Sequence, residues 1–366
     1  MEEEKLKIEK DVEKEPLKFE YYYALQDFYH NKDYVNFIKT FKEYEKGFGV
    51  DSLGSITLYE YARVLQFIKK NNEAAKIFLM LIKRNTKLTS KYYRDLGKLY
   101  LDMNRTFDAE ECFKKSVYYS KGEEDKQKAL YFLGKLYTKR LNYDAAIDVF
   151  NKILLINGEN YTALCMLGSI YRSMKQYDMA LIYYEKALRD CNLDVRVLSA
   201  IGEIYLKQGY LDAATCYIER SIALNMKDGN YYFPSYLSAA ELYIKKGNYL
   251  KAKEMLNIVF EKSKYRKDIA AAKALLGDIS YKKGDLLSAL KYYNASIKMD
   301  GTLAKSYYKI GDIYTMLKRE IDAQNAYNEG NEVEAKNIKY FLNFQRELTL
   351  TMPNNNWHFN KKNILL

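Results

Sequence analysis

Proline is nearly absent from this 366-residue chain, occurring only as Pro16, Pro234 and Pro353. That scarcity argues against a sandwich or barrel built from many tight turns and suits long helices. Histidine is rarer still, at His30 and His358, which leaves metal centres and Ser-His or Cys-His chemistry almost nothing to draw on. The cysteines Cys112, Cys165, Cys191 and Cys216 show no CxxC spacing. Dispersed in this way they read as small core hydrophobes in a reducing compartment. No apolar run approaches the roughly 18 residues of a membrane span, and the opening MEEEKLKIEKDVEKEP lacks the apolar core of a secretory signal. A G-x-x-x-x-G-K-[ST] loop and a strand-led G-x-G-x-x-G are both missing. Neighbouring carboxylates such as Glu110 and Glu111 read as solvated helix surface. The expectation is a non-enzymatic cytoplasmic (or nuclear) protein with no cofactor and no metal.

What is present is repetition. "YRDLGKLY" around Gly97 returns around Gly134 ("ALYFLGKLY"), Gly168 ("ALCMLGSIY"), Gly202 ("VLSAIGEIY"), Gly277 ("AKALLGDISY") and Gly311 ("SYYKIGDIY"). Ala240 fills the slot between Gly202 and Gly277, and Ala62 and Leu25 extend the series upstream. These nine anchors are 34 to 38 residues apart. Twelve positions after each comes a small residue, from Ala74 to Ala323, with Phe37 as the exception. Four further on stands a large apolar one: Phe41, Phe78, Phe113, Phe150, Tyr184, Ile218, Leu256, Tyr293 and Tyr327. Tyrosine follows six anchors by three, from Tyr100 to Tyr314, and reads as core. Between the columns lie short polar turns, such as KQGYLD (207–212) and KKGNYL (245–250). Each unit therefore reads as helix, turn, helix. Glycine inside a helix costs about 1 kcal/mol, so the anchors are expected where paired helices cross most closely. One such pair cannot bury its apolar face alone, and the pairs must stack.

These columns resemble the tetratricopeptide repeat, whose pattern runs W-x2-L-G-x2-Y, then A-x3-F, then P. The resemblance covers about residues 18–337 as nine units and is strongest over 90–228. The leading Trp is absent throughout, with Tyr93, Leu130, Leu164, Leu198, Tyr236 and Tyr307 in its place, and the closing Pro is missing. The resemblance implies an all-α, right-handed superhelical α-solenoid of about nine helix-turn-helix repeats. The charged segment 1–17 precedes the array, a capping helix at 334–350 (bearing Ile338, Phe341, Leu342 and Leu348) follows it, and 351–366 with Trp357 forms a tail.

In that family the first helix of each pair lines a concave surface that receives extended peptides or helices. Here its exposed positions carry Arg63, Lys91, Arg94, Lys98, Lys128, Lys135 and Arg172 toward the N-terminal side. Glu203, Glu241, Asp278 and Asp312 follow toward the C-terminal side, with Tyr22, Tyr59, Tyr131, Tyr281 and Tyr308 interspersed. An acidic partner segment would be steered to the basic half and a basic one to the acidic half. One candidate occupant is the chain's own N-terminus, since residues 1–15 hold seven acids against four bases. The position just after the anchor is never Asn in the first five units (Gln26, Arg63, Lys98, Lys135, Ser169), which argues against a chaperone-type carboxylate clamp. The leading expectation is a protein-protein interaction scaffold or adaptor, free or as a subunit of a larger assembly. The net charge of +11 keeps an RNA-binding helical repeat as the alternative.

Overall fold

Seven residues after every one of the nine anchors the backbone turns left-handed. In the computed structural model the described residues are 17–189, 194–228 and 231–350, with side chains at 17–189, 194–225 and 231–336. At Lys32, Lys69, Asn104, Leu141, Lys175, Gly209, Gly247, Gly284 and Lys318, φ lies between 55° and 86°. In each case the next N–H reaches back over 2.8–3.0 Å to the carbonyl five residues earlier, as Arg105 does to Tyr100 and Asn248 to Tyr243. This six-to-one bond with a left-handed residue inside it is how a helix closes its last turn. Only three of the nine turn residues are glycine, so the turn is imposed on six side chains that resist it. The residue after the turn caps the second helix, with its side chain accepting the first-turn amide at Asp33, Asn142, Asn248 and Asp285.

The backbone forms two compact units, Met1–Ala163 and Leu164–Leu366. In the first, four pairs follow one another: α1 (17–30) and α2 (Tyr34–Phe48), α3 (Ser55–Phe67) and α4 (Asn71–Lys83), α5 (Thr89–Asp102) and α6 (Thr106–Tyr118), α7 (Glu123–Lys139) and α8 (Tyr143–Ile156). The boundary falls within α9 (Tyr161–Ser173), whose pair is completed by α10 (Tyr177–Leu188). The second unit continues with α11 (Val195–Gln208) and α12 (Leu211–Asp228), α13 (Phe233–Lys245) and α14 (Tyr249–Lys262), α15 (Arg266–Lys282) and α16 (Leu286–Met299), α17 (Ala304–Met316) and α18 (Glu320–Leu350). No strand occurs among the described residues. The protein is an all-α array of helical repeats.

α18 runs unbroken through 334–350, so the backbone of the expected capping segment prolongs the last second helix. The side chains of Ile338, Phe341, Leu342 and Leu348 lie outside the described ones, as do the terminal segments 1–16 and 351–366 with Trp357.

The core is shared between neighbours. Tyr236, Ala240, Ala252 and Leu256 of one pair form a single buried cluster with Ala272, Leu275 and Ile279 of the next. At the anchor glycines the nearest atoms to a built Cβ belong to a side chain of the paired helix, joined at Gly202 by the backbone N of Ile218 at 3.2 Å. A Cβ built at Gly97 would fall 2.6 Å from Cε1 of Phe113, and at Gly277 2.7 Å from Cε1 of Tyr293. The same holds for Gly134 with Phe150, Gly168 with Tyr184, Gly202 with Ile218 and Gly311 with Tyr327. Each glycine is the seat of the large side chain sixteen positions on. The tyrosines three after the anchor depart from expectation: only Tyr100 is buried. The others lie half-buried at the turn, where Tyr171 stacks on Tyr183 and Tyr205 on Tyr217. In three pairs a serine pins the ends: Ser116 donates to the Ser90 carbonyl at 2.8 Å, Ser221 to that of Val195 at 3.2 Å and Ser296 to that of Ala270 at 2.9 Å.

Candidate partner-binding face

In the first unit the first helices lie side by side and are laced by polar contacts. Gln26 Nε2 donates to Glu60 across α1 and α3 at 2.5 Å. Tyr59 Oη donates to Asp95 across α3 and α5 at 2.8 Å, and Arg94 Nη1 donates to Asp125 across α5 and α7 at 2.6 Å. Lys91 Nζ sits 4.2 Å from the centroid of Tyr59, and Lys98 Nζ 4.3 Å from that of Phe132. Burial, then the adjacent Asp95 charge, pushes the Tyr59 phenol well above its usual range. Burial works against the Asp125 carboxylate, but hydrogen bonds from Arg94 and Ser90 hold it below its usual value.

The expected basic residues are therefore of two kinds. Arg94 is 8% exposed and its charge is met by Asp125, so it belongs to the frame. Lys98 is half-buried and paired with Asp95 at 2.9 Å. Lys128 is exposed and paired with Glu124 in its own helix. Arg63, exposed, donates to Gln66 at 2.9 Å. Lys135 is exposed, and Arg63, Lys91 and Lys135 have no acidic partner within ion-pair distance among the described residues. Arg63, Lys98 and Lys135 occupy one register position, immediately after the anchor, in three successive pairs.

In the second unit that position is Ser169 and then turns acidic from the sixth pair on, and the carboxylates are engaged from within. Arg172 and Glu203 pair with each other at 2.5 Å, and Lys207 reaches the same carboxylate at 2.7 Å. Glu241 lies 3.8 Å from Lys245. Asp278 accepts the Tyr293 hydroxyl at 2.5 Å with Lys305 at 3.6 Å. Asp312 accepts from Tyr327 at 3.1 Å and from Lys309 at 3.0 Å. The signal that sequence reasoning missed is a correlation between two columns. Where the large residue sixteen after the anchor is tyrosine, an acceptor follows the anchor; where it is Phe78, Phe113 or Phe150, a cation does, and where it is Phe41, Gln26 does. Among the aromatics expected on this face, Tyr281 donates to Met316 Sδ at 3.7 Å and Tyr308 to Glu334 at 2.6 Å. Tyr22 is exposed, and the Tyr131 ring meets Phe132 edge-on.

Glu110 is not solvated surface. It is buried on α6, and Arg140, Tyr137 and Lys114 all converge on its carboxylate. Glu111, beside it, is exposed as expected. Among the described residues no cluster of three or more His, Cys, Asp or Glu is arranged to hold a metal ion, and no helix is long and apolar enough to cross a membrane. Shallow open recesses of about 430 and 600 Å³ lie along the helix-pair turns of the second unit, around Tyr249 and Tyr210.

One tetratricopeptide repeat model matches residues 94–162 and 237–312, and a second matches 161–189. No curated protein matches the chain. Among solved structures, the apo form of RapI superposes with a TM-score of 0.66 at 15% identity, covering 88% of this chain and 99% of that one. A tetratricopeptide repeat protein from Parabacteroides merdae superposes at 0.54 with 18% identity, covering 73% and 98%. At such identities the likeness speaks for the fold. With the repeating anchors, the glycine seats and the recurring left-handed turns, these matches make the chain a tetratricopeptide repeat protein.

Proposed function

We propose that this protein is a non-enzymatic cytoplasmic scaffold whose first-helix face over α3, α5 and α7 receives an acidic segment of a protein partner. Tetratricopeptide repeats generally act as protein-interaction scaffolds, and that much follows from the family. The observation carrying the finer reading is the row Arg63, Lys98 and Lys135. The acids at the equivalent position in the second unit have a structural task, receiving tyrosine hydroxyls or neighbouring cations. Phe78, Phe113 and Phe150 ask for no acceptor, so Arg63 and Lys135 answer no hydroxyl beneath them, while Lys98 meets Asp95 and the Phe132 ring and stays partly exposed. Neighbouring packed helices are about 8–10 Å apart, and three extended residues span about 10 Å. An extended segment with an acidic side chain at every third position would therefore meet one cation per pair. Arg94, neutralised by Asp125, holds α5 and α7 in register and stays out of contact.

The test is fluorescence anisotropy on the full chain with a labelled Asp/Glu-rich peptide, its Lys-rich counterpart and an oligouridylate of equal length. Binding should favour the acidic peptide, and the Lys98→Glu/Lys135→Glu pair should weaken it by about tenfold or more. Equal affinity for that variant would overturn the reading. Tighter binding of the oligonucleotide, with steep salt dependence, would establish the nucleic-acid alternative instead.

A further inference from the structure

The second residue of each second helix is a position where this fold shows its own preference. In pairs four to six it is Asp144, Asp178 and Asp212, an acid in the first helical turn, where the positive end of the helix dipole favours it. In pairs seven to nine the same position is Leu250, Leu287 and Ile321, exposed by 78%, 77% and 80%. Leu250 and Leu287 stand in first turns that hold no acid, and Ile321 stands between Glu320 and Asp322. None of them gains burial, so packing does not account for them. Val35, 79% exposed, holds the same position in the first pair. All three stand at the pair turns of the second unit, where the first turns of α14, α16 and α18 begin.

The surroundings of these side chains hold more cations than acids: Lys246 pairs with Asp212 at 3.4 Å, Asp285 caps α16, and Glu320 and Asp322 flank Ile321. Lys246 and Lys283 precede the first two, and Lys318 precedes Ile321. Lys246, Tyr249, Leu250, Lys253 and Lys283 line the open recess of about 430 Å³ on this edge. Lys253, Lys282, Lys283 and Lys318 have no acidic partner within ion-pair distance among the described residues. The aliphatics protrude from the turns, so a deep groove is not what they fit. A row of protruding apolar side chains ringed by lysine stems, beside helix N-termini that favour anions, is complementary to a headgroup layer over acyl chains.

We infer that the pair-turn edge around Leu250, Leu287 and Ile321 is a docking surface for an anionic bilayer, which the chain meets peripherally. The three aliphatics enter the acyl boundary while Lys246, Lys283 and Lys318 lie at headgroup level. This surface is separate from the first-helix face of the first unit, so either can exist without the other.

The test is co-sedimentation of the full chain with vesicles of phosphatidylcholine alone, or of phosphatidylcholine with about one third phosphatidylserine. The wild type should pellet with the anionic vesicles and remain in solution with the neutral ones. The triple variant L250D/L287D/I321D installs the residue type already used in pairs four to six, so its thermal unfolding should match or exceed the wild type's. It should weaken anionic-vesicle binding by about tenfold or more, as each aliphatic contributes apolar burial. K246E/K283E should do the same. A wild type that stays in solution with anionic vesicles overturns the inference, as does a triple variant that binds them undiminished. Capture of a protein by the wild-type edge, lost in the triple variant without vesicle binding in either, overturns it in favour of a protein partner.

Discussion

Tyr293 hands its hydroxyl proton toward Asp278, fifteen residues earlier in the chain, across 2.5 Å. The contact closes over Gly277, on which the Tyr293 ring sits. Glycine, carboxylate and phenol thus form one unit that fastens the second helix of a pair to the first. Gly311, Asp312 and Tyr327 repeat it in the next pair. Tyr293→Phe should cost about 1–3 kcal/mol, because a charged acceptor loses its buried donor. The cost should shrink when Asp278→Lys is added, since the later pair then copies the Phe-and-Lys arrangement of Phe113 with Lys98 and Phe150 with Lys135. Urea unfolding of the two single variants and the double variant measures the coupling, and strict additivity would contradict it.

Alkaline pH should loosen the fold through these phenols. Burial pushes Tyr61 and Tyr184 up to about 12, and burial with the Asp278 charge pushes Tyr293 well above the usual range. The folded state therefore holds these protons more tightly than the unfolded chain, whose tyrosines titrate near 10. The stability they contribute is complete below about pH 10 and is lost as pH climbs toward the folded values. Denaturation midpoints followed by circular dichroism should fall above about pH 10. Tyr293→Phe should fall less steeply than the wild type.

Gly97→Ala should destabilise although alanine is the better helix former. The new methyl would lie 2.6 Å from Cε1 of Phe113, a ring with no exposed surface. Overpacking of this kind costs about 1–3 kcal/mol, against a propensity gain of about 1. Gly202→Ala should cost more, as backbone N of Ile218 is also within 3.2 Å. Adding Phe113→Leu to Gly97→Ala should recover part of the loss, since Ala240 already faces Leu256 at the corresponding positions. Melting temperatures of the three variants decide the matter; a stabilised Gly97→Ala would show that the ring yields freely.

Leu141→Gly should stabilise. Leu141 holds φ at 55° and is exposed, so the substitution relieves left-handed strain with little packing lost. The gain is about 1 kcal/mol, partly offset by the greater freedom glycine has in the unfolded chain. The converse, Gly247→Leu, should cost a similar amount: φ is 74° there and a Cβ would meet no neighbour, so the backbone alone resists. Paired chemical denaturation of both variants tests the sign.

Arg140→Met should cost about 3–5 kcal/mol, because Glu110 would be left buried with a charge poorly matched. Arg140 is 3% exposed, and its guanidinium also lies over Phe107 at 5.1 Å. Burial alone would raise the Glu110 carboxyl, yet Lys114 and Arg140 bring it below its usual value of 4.5. Its contribution is therefore present above the unfolded value and lost as pH falls through the lower, folded one. In acid the wild type should lose stability through that window, and Arg140→Met should lose less. The double variant Glu110→Leu/Arg140→Met should recover most of the loss by removing both charges.

The sequence alone carried the repeat, the helix pairing and the places where small and large side chains alternate. Those features depend on neighbours within one or two turns and on a period that a single chain displays. It also located the pair turns, although the left-handed residue at Leu141 or Lys175 could not be read from side chains that ordinarily avoid that conformation. Tertiary packing decided which charges remain available. Arg94, Glu110 and Asp278 each look like surface residues within their own helix, yet Asp125, Arg140 and Tyr293 reach them from fifteen to thirty-one positions away. Whether a charged side chain faces water or a buried partner depends on how successive helices settle against one another, and local sequence spacing does not contain that information.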